Sequence, residues 1–267
     1  ICGNYILAYP EETGCAIRIV DLSNGNISGN SIPSGFGIGV QHSLNTTTIS
    51  GNNIGAYIGG MSLSSSNNNT ISGNRITTYT GSCIHLSSSY NTTISGNNLQ
   101  DSRSPEDCVC INSGSFNTIS GNTIGGVWLT SSSFNTISEN TIWYDVTLTS
   151  SSLNTIHGNI MGDVHLSSSS NNTFSKNNIN SYVTLTSSYN NKFYHNNFIY
   201  SHCVHSENST NMWDDGYPSG GNYWSDYTGV DLYSGPFQNE TGSDGIGDTP
   251  YLIAQNNRDN YPFMDPY

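Results

Sequence analysis

The sequence predicts an all-β fold: a single-stranded, right-handed parallel β-helix of about nine to ten coils, with a C-terminal cap rich in aromatic residues, Asp and Gly. Three observations predict it. An apolar anchor recurs every 18 to 25 residues, at Ile27, Ile49, Ile71, Ile94, Ile119, Ile137, Ile156, Phe174 and Phe193. Three residues after each anchor stands an asparagine, from Asn30 to Asn196, in all nine repeats. Apolar pairs spaced by two, such as Val146/Leu148 and Val164/Leu166, precede the later anchors by ten and eight places.

A period near 20 residues matches one coil of a solenoid, and alternation by two is the mark of a strand. Ile, Val and Thr at those positions favour strands over helices, while Gly-Asn and Ser-Ser-Ser runs supply the corners. Each coil then holds three short strands. Stacking of coils at ~4.8 Å places every anchor upon the next and every asparagine beside the next, giving an aliphatic stack and an asparagine ladder. A buried anchor contributes about 1.5–3 kcal/mol before entropy is counted. The early coils carry longer loops, "GAYIGG" (residues 55–60) and "LQDSRSPEDCVC" (99–110), whereas the later coils are close to minimal. The β-helix is expected over residues 1–207 and the cap over 208–267, with Trp213 a candidate anchor of a last coil and Trp213, Tyr223, Trp224 and Phe263 as packing anchors. The N-terminal "ICGNYILAYP" shows no comparable cap, and that asymmetry suggests an edge available for polymerisation.

Composition narrows the function. The 267 residues carry a net charge of −13, from 19 acidic residues against 6 Lys and Arg. Such a surface does not suit nucleic acid or anionic lipid, and no apolar run approaches the ~20 residues of a membrane span. Six cysteines point to an exterior location, the extracellular cell surface. Seven N-glycosylation sequons, at Asn26, Asn45, Asn68, Asn91, Asn171, Asn208 and Asn239, agree with it. The start Ile1-Cys2-Gly3 suggests a mature chain whose leader has been removed.

The tail "GNYWSDY…DGIGDTPY…DNYP" resembles the ending of secreted NosD-like proteins of methanogenic archaea, and the repeats resemble the parallel β-helix repeats of NosD-like, carbohydrate-associated surface proteins. The resemblance spans nearly the whole chain and implies the β-helix fold; the NosD relationship also raises copper. Such relatives often carry a run of alternating Asp and Gly between the two halves of the tail. Here that stretch is the longer and less acidic "TGVDLYSGPFQNETGSDGIGD".

Several groups of residues are candidates for chemistry. Asp226, Asp231, Asp244 and Asp248 are hard oxygen donors on a Gly-rich loop, a possible Ca2+ set; the alternative is that they hold turns through their own backbone. Asp145 and Asp163 fall at equivalent positions of adjacent coils, about one coil apart, near the ~5–5.5 Å of a retaining glycosidase, with Trp128, Tyr144 and His165 expected nearby. The bland reading of that pair is a solvated acidic stripe. The six Lys and Arg are dispersed, which counts against a polysaccharide lyase. Soft ligands occur in "HCVH" (His202, Cys203, His205) and at Cys108 and Cys110.

Cys83 and Cys108 share one position on neighbouring coils and are candidates for a disulfide. Cys2 and Cys15 are candidates to close the N-terminal loop. Cys110 and Cys203 are left as free thiols or links between subunits. The favoured function is a non-enzymatic structural protein whose partners are copies of itself, in a surface layer, sheath or filament. The alternative is a β-helix that binds or processes carbohydrate, with glycans as partners and Asp145 and Asp163 as its site. A metal-delivery accessory is a third.

Overall fold

The structure, a computed structural model, describes residues 1–7, 15–21, 24–33, 35–43, 46–101, 108–254 and 256–267. It is a right-handed parallel β-helix of about nine turns. Each coil runs through three sheets in the same order. Sheet A holds nine strands, from Asn26–Ser28 to Lys192–Tyr194, and carries the anchors. Sheet B holds ten, from Ser31–Ile32 to Tyr223–Trp224. Sheet C also holds ten, from Cys15–Val20 to Val204–Glu207, and carries the alternating pairs. Registers are in step with the repeat: Ile94 pairs Ile71 and Ile119, and Val146/Leu148 pair Val127/Leu129 and Val164/Leu166.

The anchors and pairs are buried and form one continuous core along the axis. Aliphatic residues fill the middle of the stack, and rings take over toward the C-terminal end. Phe174, Phe193 and Trp213 stack at centroid distances of 4.7 and 4.5 Å. Phe198, Trp224 and Tyr251 do so at 4.1 and 4.3 Å. Offset ring pairs at such spacings add about 0.5–1.5 kcal/mol beyond their burial.

Three polar ladders satisfy the corners. In the first, the Nδ2 and backbone N–H of each repeat asparagine donate to Oδ1 of the next, as Asn122 does to Asn140 at 2.9 Å for both bonds. A second ladder runs from Asn117 through Asn135, Asn154, Asn172 and Asn191 to Asn211. A third includes Ser132, Ser151, Ser169 and Ser188, each backbone N–H donating to the hydroxyl of the next and the last to Ser209, with Ser43, Ser66 and Ser89 linked the same way in the early coils. Burying amides at a corner would cost about 1–3 kcal/mol per orphaned group, and the repetition supplies partners along these ladders, whereas Asn69 Nδ2, followed by Thr92 in the next coil, has none among the described residues.

The repeat phrase occurs once more than its "TIS" spelling reveals. Residues 1–6, "ICGNYI", run parallel to "ISGNSI", with Cys2 bridged to Ser28 and Tyr5 to Ser31. The Asn4 N–H donates to Asn30 Oδ1, the first rung of the ladder.

At the other end both asparagine ladders stop on one short strand, Asn257–Asp259. Asn257 Oδ1 accepts from the Asn211 N–H and from the Trp213 indole, at 2.9 and 3.0 Å. Asp259 Oδ2 accepts from the Asn222 N–H and from the Trp224 indole, at 2.7 and 2.9 Å. The two tryptophans that roof the core therefore have their polar edges satisfied by the residues that end the ladders. Burial pushes the Asp259 carboxyl up to about 7, against the pull of those donors.

Candidate functional site

Outside the core, the corner between sheets B and C varies in length, and that variation makes a groove. Between the core positions Ile142 and Val146 stand three residues, Trp143, Tyr144 and Asp145. The next coil has only Gly162 and Asp163 between Met161 and Val164. The coil after that again has three, Asn180, Ser181 and Tyr182. A shortened corner thus lies between two longer ones. It leaves a cavity of 350 Å³ lined by Trp143, Tyr144, Asp145, Gly162, Asp163 and Ser181.

Gly162 is obligatory there. A Cβ at that position would lie 2.3 Å from the Tyr144 carbonyl oxygen, and the Asp163 N–H donates to the same oxygen at 3.1 Å. The two carboxylates sit in register on adjacent strands, Asp145 opposite Asp163. Asp145 Oδ2 accepts from the Thr147 hydroxyl at 2.9 Å, and Asp163 Oδ1 accepts from the Tyr182 N–H at 2.8 Å. Both are half-buried, whereas Trp143 is 64% and Tyr144 51% exposed. None of the lining residues is Lys or Arg. The arrangement places two carboxylates about one coil apart beside an exposed aromatic wall, the equipment to hold a polyhydroxylated ring.

The sequence brings some of these residues forward and not others. Tyr144, Asp145 and Asp163 meet as expected. Trp128 and His165 face outward from sheet C in the column beside Thr147, and they do not line the groove. Trp143, Gly162, Ser181 and Tyr182 escape a reading aligned on the anchors. The signal available for them is the one-residue contraction of "NIMGDV" (159–164) against "NTIWYDV" (140–146).

The remaining candidates are dispersed or already occupied. Asp231 accepts from the Asp244 and Gly245 N–H groups at 3.1 and 2.7 Å. Asp248 accepts from the N–H groups of Leu232 and Tyr233, and Asp244 from those of Ile246 and the Gln238 side chain. These three carboxylates accept from N–H donors and hold turns, the alternative role expected for them. Asp226 lies apart, accepting from the Tyr251 hydroxyl at 2.8 Å and the His202 N–H at 3.0 Å beside a 390 Å³ cavity in the cap.

Among the described residues no group of three or more His, Cys, Asp or Glu is placed to hold a metal ion. In "HCVH", His202 and His205 are exposed while Cys203 points inward, and burial pushes its thiol up to about 12. That set does not converge and does not fit copper.

Cys83 and Cys108 form a disulfide across neighbouring coils, with Cα atoms 4.9 Å apart. Cys2 and Cys15 do not pair, because Cys2 lies against Ser28 of sheet A while Cys15 opens a strand of sheet C opposite Phe36; both are free thiols. Cys203 is 1% exposed, which puts an intersubunit link out of its reach, and Cys110 accepts from the Ser82 hydroxyl at 3.1 Å. The sequon asparagines Asn26, Asn68, Asn91, Asn171, Asn208 and Asn239 are exposed, and Asn45 lies outside the described residues.

Residues 5–142, just over half of the chain, match the family model described as the right handed beta helix region. The chain belongs to this right-handed β-helix family. Within the same β-helix, residues 106–229 match the model of the periplasmic copper-binding protein NosD. No curated protein matches the sequence.

Among solved structures, the β-helix is similar to the DFA-IIIase from Arthrobacter chlorophenolicus A6 in complex with GF2, at 13% identity and a TM-score of 0.54, over 79% of this chain and 66% of that one. It is similar to a tailspike protein of E. coli bacteriophage HK620, at 12% identity and a TM-score of 0.51, over 75% and 48% of the two chains. It is also similar to the alginate lyase from Paenibacillus sp. str. FPU-7, at 11% identity and a TM-score of 0.50, over 83% and 98%. The chain thus spans about two-thirds of the first of these proteins and about half of the second. At such identities the likeness is one of fold.

Proposed function

We propose that this protein engages carbohydrate outside the cytoplasm through the groove at Asp145 and Asp163, with the carboxylate pair spaced for retaining glycoside hydrolysis. The observation that carries this reading is the coincidence, at one shortened corner, of two in-register carboxylates with exposed Trp143 and Tyr144. Support comes from the carbohydrate-active proteins among the similar structures, a DFA-IIIase, a tailspike and an alginate lyase. An exterior setting is supported by the match to a periplasmic family and by the resemblance of the tail to secreted proteins of methanogenic archaea.

Assembly into a surface layer, sheath or filament draws less support. The last rungs of both asparagine ladders are covered by Asn257–Asp259, and Cys203 is buried.

Asp163→Asn tests the hydrolytic part. Against a glycan that the wild type cleaves, turnover should fall at least ~100-fold with binding retained. Unchanged turnover would remove Asp163 from the chemistry.

A further inference from the structure

We infer that the groove takes a single sugar ring end-on, the terminal residue of a glycan without acidic groups, and does not seat the middle of a chain laid across sheet C. The inference rests on the carbohydrate reading above and specifies its substrate class. Coils stack at ~4.8 Å, so the corners on either side of the shortened one stand roughly 10 Å apart, leaving about one layer between them. One layer is the thickness of one ring.

The walls of this slot are unlike. Trp143 and Tyr144 offer aromatic surface on one side, and Ser181 offers a hydroxyl on the other. Its floor is the bare backbone of Gly162, pressed against the Tyr144 carbonyl, so the slot does not run through the coil. Asp145 and Asp163 also line it, where they face the hydroxyls of an inserted ring. The outward face of sheet C beside the slot carries Thr147, Thr149, His165 and Ser167 on its neighbouring strands. With two carboxylates and no Lys or Arg in the lining, a uronate would meet like charge, whereas a neutral or amine-bearing ring would not.

The test is calorimetric titration of the intact protein with cello- and chito-oligosaccharides of one to six units, and with oligogalacturonates of the same lengths. End-on insertion predicts that affinity levels off by two units and stays within about twofold up to six, with oligogalacturonates at least tenfold weaker. Ser181→Trp, which fills the slot from its polar wall, should weaken binding at least tenfold without lowering the melting temperature.

Affinity that climbs with each added unit, or oligogalacturonate binding equal to the neutral series, would overturn the inference. If that climbing affinity were still lost in Trp143→Ala, the carbohydrate reading would survive alone. Failure of the wild type to bind any member of the panel would remove both. The wild-type length series decides the matter even if Ser181→Trp fails to fold.

Discussion

At Gly162 the absence of a side chain decides whether the groove exists. The Tyr144 carbonyl occupies the space that a Cβ would need, and backbone cannot step aside as a flexible side chain can. Gly162→Ala should therefore cost roughly 1–3 kcal/mol in urea denaturation and abolish ligand binding with it. A different single-residue effect belongs to Asp259. Its carboxyl titrates at about 7 when folded, against an ordinary 3.8, so between those values the folded protein holds a proton that the unfolded chain has released. An acid shifted upward favours the folded state most below about pH 4, and that contribution is lost as pH rises to about 7. Asp259→Asn retains an acceptor oxygen for Asn222 and Trp224 and removes the titration. Melting temperatures measured from pH 4 to 8 should fall with pH in the wild type and follow a flatter course in the variant.

Among the elements, the ladders carry the most transferable expectation. Asn140 receives two bonds from Asn122 and donates to Ile119 O and Asn159 Oδ1, all within the buried corner. Asn140→Ala strands several of these groups and should cost about 3 kcal/mol by chemical denaturation. This ladder is legible in the sequence, because an asparagine three places after every anchor has one geometric meaning once coils stack. The groove is less legible. It arises from the difference between neighbouring coils, one residue missing at Gly162, and an alignment on the anchors discards that difference. The ladder ends are hidden by distance, since Asn257 and Asp259 lie 46 and 37 residues beyond the rungs they terminate. The disulfide is the intermediate case: Cys83 and Cys108 share a repeat position and meet, whereas Cys2 and Cys15 are close in sequence but on different sheets.

For the whole molecule, one strand closes two ladders and satisfies both roofing indoles, so the C-terminal end of the core depends on residues that contribute little to its volume. Removing residues 256–267 should leave the Trp213 and Trp224 edges and the last ladder donors without partners. The truncated chain should then associate more strongly than the intact one in light scattering, as exposed strand edges do. Equal behaviour of the two chains would mean that the edges are protected by other parts of the cap. Along the length of the rod, the proposed carbohydrate function is concentrated at one corner of three successive coils. The most direct measurement of that claim is glycan-array binding of the intact protein beside its Trp143→Ala variant. A defined set of glycans bound by the wild type and at least tenfold weaker in the variant is the predicted result; equal binding by both proteins, or none by either, would contradict it.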